Sequence, residues 1–309
     1  MNERQSAATR KRQLKHAGMT KKAKSRPIDF NSPEAIIHAL NYHGAFFKKH
    51  VLKTILNQNL GLVSEEYPTT FGPHSRAADL VVKDVRQSPR GTELPYFIIE
   101  CKRVSPEKQW VFIQDRDKLY RISRTHDMQV EVFASVVARN ADHGIPICSD
   151  GYQYDSRPED EMRGKGKRAD SEAIYEAAKQ ISACCLGFAE GRIQQARRGS
   201  SERRSPPETY VPVLVTNAKL SYIKIDEIDF DTTTATLSKI PTVNRVPYLV
   251  YNFPFASVAG HNDFRVKVQN EELRLKEKES IYVVHVDAVR DFLSGDNSRF
   301  LQPLTQPPR

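Results

Sequence analysis

Asp79, Glu100 and Lys102 are the residues of this 309-residue chain whose types and spacing best suit chemistry. Asp79 lies in the run Arg76-Ala77-Ala78-Asp79-Leu80-Val81-Val82-Lys83. Glu100 and Lys102 close the run Pro95-Tyr96-Phe97-Ile98-Ile99-Glu100-Cys101-Lys102. Both runs read as buried strands. Side chains alternate faces along a strand, so Glu100 and Lys102 share a face with Ile98, while Phe97, Ile99 and Cys101 take the other. Apolar residues on both faces mark a covered, central strand. A carboxylate and an ammonium there are costly to bury unless they pair, bind a metal or take part in a reaction. Between the runs, Ser88-Pro89-Arg90-Gly91 is turn chemistry. An antiparallel hairpin centred between Pro89 and Arg90 sets Asp79 opposite Glu100, with Cβ atoms about 5 Å apart. Two carboxylates so placed repel, and a divalent cation between them reverses the sign. Hard oxygen ligands of this kind suit Mg²⁺ or Mn²⁺. The plainer alternative is an ordinary ion pair between Glu100 and Lys102 near a sheet edge, with Asp79 unrelated.

The elements that must position these residues follow from periodicity. Residues 33–57 read as a helix, with Ser32 as N-cap, Pro33 in the first turn and an apolar stripe of Ile36, Ile37, Leu40, Phe47, Val51, Leu52 and Ile55; Gly44 is a point of interruption. Strands follow at 61–67, 76–83 and 95–102. Trp110, Ile113, Leu119 and Ile122 predict a helix over 106–123, and Val130 to Ala138 predicts a strand. Asp79, a gap and Glu100-x-Lys102, set in that α-β-β-β-α-β order, resemble the PD-(D/E)xK nuclease superfamily, the restriction-endonuclease-like fold. The resemblance spans roughly residues 30–140, with weaker support to about 225 from Val211-Pro212-Val213-Leu214-Val215-Thr216-Asn217-Ala218, which is similar to a stretch of uncharacterised bacterial members.

The resemblance implies an α/β restriction-endonuclease-like core with a C-terminal α+β extension. It implies a Mg²⁺- or Mn²⁺-dependent endonuclease that hydrolyses phosphodiester bonds in DNA, in restriction, defence or repair. It also implies that Asp79, Glu100 and the backbone carbonyl of Cys101 hold the metal. Lys102 would orient or activate the attacking water and stabilise developing charge. Many members carry a glutamate on the first helix. Here Gly44-Ala45-Phe46-Phe47-Lys48-Lys49 has no acid, so Glu65 or Glu66 is the candidate third carboxylate. The implied partners are nucleic acid and a second copy of the chain or proteins of a defence system, with no membrane. The rival from another class is a catalytically inactive nucleic-acid-binding or interaction subunit of the same fold.

Charge is distributed unevenly. The formal net charge is +9, and residues 1–26 hold nine Lys or Arg against Glu3 alone, so the remainder is nearly neutral. Residues 1–27 lack an apolar face and read as a disordered basic tail. Residues 28–228 read as the nuclease core. Within it lie a mobile loop near 139–169 holding Arg163-Gly164-Lys165-Gly166-Lys167-Arg168, a helix over 170–190, an exposed linker near 192–208 and strands at 210–216 and 220–225. Residues 229–309 read as the extension, with strands at 246–253 and 280–286 and a closing helix at 287–293. Cys101, Cys148, Cys184 and Cys185 make no Cys-x-x-Cys pair, which argues against zinc and for a reducing cytoplasm. No apolar leader segment, membrane-length apolar run or GxxxxGK[ST] loop is present.

Deleting residues 1–26 is expected to flatten the salt dependence of nucleic-acid binding, because each lost phosphate contact lowers the slope of log K against log salt by up to about one unit. Polarisation titrations across a salt series measure this. An unchanged slope would leave the segment with a non-binding role.

Overall fold

β-Branched and aromatic runs separated by turn residues make this a strand-rich chain. The computed structural model describes residues 32–33, 35–37, 44–58, 60–71, 74–84, 94–114, 118–124, 134–139, 145–157, 169–198, 208–234, 236–239, 241–254, 265–268, 271–274 and 278–294. The fold is mixed α/β, with one large mixed sheet and few helices.

Two units divide the chain, Met1–His43 and Gly44–Arg309. In the first, the Ala35 amide donates to Ser32 Oγ at 3.1 Å, the expected N-cap of a helical turn. In the second, helix α1 runs over Ala45–Leu56 rather than from residue 33. Gly44 sits ahead of it at φ 69°, a left-handed backbone that glycine adopts without cost and that breaks the helical path.

Strands β1 (Gly61–Phe71), β2 (His74–Lys83) and β3 (Leu94–Lys102) form an antiparallel meander. Next come β4 (Lys108–Gln114), β5 (Lys118–Arg124), β6 (Ala134–Arg139), β7 (Ile147–Asp155), β8 (Ala169–Asp170) and the long helix α2 (Glu172–Arg198). They are followed by β9 (Glu208–Thr216), β10 (Lys219–Lys224), the small hairpin β11 (Phe230–Asp231) and β12 (Thr236–Leu237), β13 (Asn244–Arg245) and β14 (Tyr248–Pro254). A second hairpin, β15 (Arg265–Val268) and β16 (Glu271–Arg274), precedes β17 (Lys278–His285) and helix α3 (Val289–Ser294). Among the described residues, thirteen strands share the large sheet, whose main order is β1-β2-β3-β9-β17-β14-β7-β4-β10-β13. β9 lies parallel to β3. Residues 45–102 with α2 and β9 therefore make an α-β-β-β-α-β succession, into which residues 103–171 are inserted between β3 and α2.

The meander is covered on both faces. On one face, Val81, Tyr96 and Ile98 pack with Ile174, Ile181, Cys185 and Phe188 of α2. On the other, Leu80, Val82, Phe97 and Ile99 pack with Val51, Leu52 and Ile55 of α1 and Phe292 of α3. At the far end of β3 the chain turns a double corner. β3 leads through residues 103–107 into β4, β9 leads through residues 217–218 into β10, and β4 and β10 are again parallel partners. Asn217 clamps the corner. Val104 donates its amide to Asn217 Oδ1 at 2.7 Å, and Asn217 Nδ2 donates to the Val104 carbonyl at 2.9 Å. The carboxamide thus stands in for a ladder peptide.

Several expectations are corrected. The described residues of 106–123 are not helical: Lys108–Gln114 form β4, and 118–123 lie in β5. Trp110 and Phe112 are buried while Val111 and Ile113 are half-buried, the period of two of a strand. Trp110 packs, as expected, and its ring N–H donates to Gln153 at 3.2 Å. The loop expected near 139–169 is crossed by β7, where a Cβ added at Gly151 would come within 2.6 Å of the Phe112 ring. The linker expected near 192–208 is helical to Arg198, and β9 begins at Glu208. The Arg192 guanidinium is bonded to the buried Glu208 and lies 5.6 Å over the Tyr96 ring. The C-terminal segment is not an appendage, because β14 and β17 lie inside the sheet between β7 and β9. The basic tail at 1–27, residues 130–133 of the predicted strand and the glycine-basic run at 163–168 lie outside the described residues. All four cysteines are free. Among the described residues, no helix is long and apolar enough to cross a membrane.

β17 carries a buried acid, Glu279, which is 2% exposed and whose carboxylate oxygens make no hydrogen bond of ordinary geometry. Burial pushes its pKa up to about 7, against the opposing effect of Ser182 and Cys185. The folded state then keeps a proton that the unfolded chain releases near 4.5. Stability is full below that value and falls as pH rises towards about 7, by on the order of 3 kcal/mol. The chain is therefore expected to melt higher at pH 5 than at pH 8, with Glu279→Gln removing most of the difference. Equal pH slopes in the two proteins would contradict this.

Candidate functional site

The β2–β3 ladder has the expected register, with Leu80 opposite Ile99, Val81 opposite Ile98, Val82 opposite Phe97 and Lys83 opposite Tyr96. One further step would place Asp79 opposite Glu100, and the regular pairing stops there. On the other side of β2, Glu65 faces Leu80 and Tyr67 faces Ala78. Between them Glu66 takes φ 50°, the one positive value among the described non-glycine residues. Such a backbone costs of order 1–3 kcal/mol and persists where its surroundings impose it. Asp79 turns its side chain to the backbone, and its Oδ2 accepts the Cys101 amide proton at 2.8 Å.

The cations come from α1. Val51, Leu52 and Ile55 anchor this helix on the core, which brings Lys48, one turn earlier on the same face, over the edge of β1. Lys48 donates to Glu66 and lies 3.8 Å from Asp79 Oδ1, and Lys49 pairs with Glu65 at 2.7 Å. Glu100 and Lys102 continue β3 opposite Leu214 and Thr216 of β9. Glu100 is 6% exposed, and Lys102 is half-buried. By alternation they follow Ile98 towards the α2 face, whereas Lys48 reaches Asp79 from the α1 face.

Burial pushes the Asp79 carboxyl above its usual value, against the Cys101 amide and the charges of Lys48 and Lys102, while Glu66 adds to the rise. Burial pulls the Lys48 ammonium down, but the Glu66 hydrogen bond and the nearby charges of Asp79, Glu66 and Glu65 outweigh it and leave Lys48 raised. The Cys101 thiol is pushed well up by burial, then by Asp79 and Glu100. The fields of both expected carboxylates thus converge on Cys101.

These donors fit a hard divalent cation in their chemistry: two carboxylates and a backbone carbonyl, with Asp79 half-buried and its charge partly offset by Lys48. They do not form a crowded ligand cage. Among the described residues, no group of three or more His, Cys, Asp or Glu gathers to hold a metal ion. No family model, curated protein or solved structure matches the chain.

Sequence reasoning named Glu65 or Glu66 as the candidate third carboxylate; the structure pairs Glu65 with Lys49 and Glu66 with Lys48, and the charge of Glu66 acts on Asp79. It missed Lys48 and Asn217. The doublets Lys48-Lys49 and Glu65-Glu66 were a readable signal for the first, since each lysine meets one glutamate. Asn217 had no such signal, because its partner is a backbone 113 residues away.

A carboxyl whose folded pKa is raised costs stability once it ionises. In a metal-free buffer, Asp79→Asn is therefore expected to melt a few degrees above the wild type at neutral pH, with the gain shrinking as pH falls towards about 4, where the unfolded carboxyl is half protonated. A lower melting point for the variant at neutral pH would reverse the assigned sign.

Proposed function

We propose that this chain is a divalent-metal-dependent nuclease of the PD-(D/E)xK type, acting on DNA phosphodiesters. The observation that carries the reading is the β2–β3 register together with the parallel β3–β9 pairing. It sets Asp79 and Glu100-x-Lys102 at one end of an α-β-β-β-α-β succession. The helix of that succession is α2, not the segment at 106–123, and the restriction-endonuclease-like reading rests on this reassigned order. Asp79, Glu100 and the Cys101 carbonyl would hold Mg²⁺ or Mn²⁺. When bound, such a cation lowers the pKa of a coordinated water and screens the scissile phosphate. In the reaction, water attacks phosphorus, one P–O ester bond breaks and the leaving oxygen takes a proton. Lys102 supplies a fixed positive charge where the phosphate gains negative charge. Lys48 offsets Asp79 and Glu66 from the opposite face, and Asn217 holds the chain beyond Lys102 in place.

A second reading, a non-cleaving nucleic-acid-binding or interaction subunit, draws on one observation. The Lys48 ammonium already lies beside Asp79 and Glu66, so the protein's own charge offsets these acids. A cleavage assay with Mg²⁺ or Mn²⁺ on supercoiled plasmid, single-stranded DNA and RNA separates the two. Glu100→Gln is expected to abolish cleavage with the fold intact. Lys102→Ala is expected to slow it by roughly 10²–10³, the scale for losing one preorganised charge, with an unchanged melting temperature. Absence of cleavage by the wild type on every substrate, with Lys102→Ala merely less stable, would favour the second reading.

A further inference from the structure

Past the double corner, β10, β4, β7 and β13 border an open cavity of about 310 Å³ lined by the exposed Lys219 and Arg245 with Gln109, Tyr154 and Ser221, together with Leu220 and Val243. Its charged groups are both cationic. Among the described residues, no carboxylate lines it and neither Lys219 nor Arg245 has an ion-pair partner. The Tyr154 hydroxyl donates to Gln109 Oε1 at 2.8 Å, which commits the oxygen and leaves the amide nitrogen of Gln109 as a donor. Ser221 is 4% exposed and donates to the Trp110 carbonyl at 3.3 Å, fixing the floor. A point-like ammonium, a planar guanidinium and an amide N–H₂ around one concavity suit an anion with several oxygens, which can accept from different directions at once.

The cavity is tied to the candidate site by the chain itself. Thr216 is the ladder partner of Lys102, neighbouring strands lie about 4.8 Å apart, and the three residues from Thr216 to Lys219 span at most about 11 Å. Lys219 is therefore held within a few nucleotide lengths of Lys102. We propose that this cavity binds a backbone phosphate of the nucleic-acid strand, displaced along that strand from the Glu100–Lys102 site. The identity of the ligand rests on the nuclease reading, but the cavity's preference for phosphate does not.

The test is binding without metal, so that cleavage plays no part. A fluorescein-labelled single-stranded oligonucleotide is titrated with the full chain in EDTA across a salt series. The chains compared are the wild type, Lys219→Gln/Arg245→Gln, and Arg290→Gln on α3 as a control outside the cavity. The double variant is expected to bind about tenfold or more weakly and to lose about 1.4 from the salt slope, roughly 0.7 for each single-strand phosphate contact. The control should match the wild type, and thermal melts should show all three folded. Unchanged affinity in the double variant, an equal loss in the control, or no saturable binding by the wild type would overturn the proposal. Inorganic phosphate is titrated in parallel. If it binds saturably and depends on Lys219 and Arg245 while the oligonucleotide does not bind, the nucleic-acid ligand is rejected in favour of a small phosphate. Cleavage is read separately, with Mg²⁺ present, so a failure of cleavage and a failure of this cavity appear in different experiments.

Discussion

β3 is hydrogen-bonded along both edges, antiparallel to β2 and parallel to β9, and covered on both faces by apolar side chains. That enclosure is the constraint on which the candidate site depends. A strand with no free edge and no wet face offers charge little solvation except at its end. Glu100, Cys101 and Lys102 occupy that end, and their neighbours are arranged to make it tolerable. Asp79 gives up regular pairing to accept the Cys101 amide, and Asn217 completes the backbone pairing of Val104 beyond Lys102.

Compensation of the acids comes from a different layer. The packing of α1 through Val51, Leu52 and Ile55 fixes where Lys48 and Lys49 fall. Apolar burial on one side of the sheet thus sets the electrostatics of an acidic edge. Lys48 is itself pulled in two directions: burial favours its neutral form and three carboxylates favour its charged form, and the carboxylates prevail. The left-handed Glu66 belongs to the same arrangement, since its carboxylate meets Lys48 from the strand that borders Asp79.

The hairpin was legible in the sequence because its information is local. Alternation fixes the faces of 76–83 and 95–102, and the number of residues between the two runs points to their register. Helix α2 was legible from Ile174, Ala178, Ile181, Cys185 and Phe188, all buried at helical intervals. What failed was non-local. Trp110, Ile113, Leu119 and Ile122 fit a helical period by coincidence, and the deciding fact, that β4 has partners on both sides, lies in distant segments at β7 and β10. β7 reads Ser149-Asp150-Gly151 at its centre, turn chemistry by composition, yet Gly151 is there because Phe112 crosses it. The C-terminal strands looked separable because nothing local marks Val250 or Tyr282 as neighbours of β7 and β9. For the site, residue types pointed to Asp79, Glu100 and Lys102. Lys48 needed the helix–strand packing, and Asn217 needed the corner.

The double corner also has a consequence for the order in which the chain assembles during synthesis. The β1-β2-β3 meander needs only sequence-local pairing and can close soon after its residues leave the ribosome. Its outer edge stays bare until β9 is made, since Val104 and Asn217 are separated by 113 residues, and β17 must then dock on the far side of β9. Throughout that interval β3 presents an unpaired apolar edge, the kind of surface on which nascent chains associate wrongly. Acids and lysines at the exit of β3 would then serve the growing chain as charged gatekeepers on its most adhesive strand before they serve the finished protein.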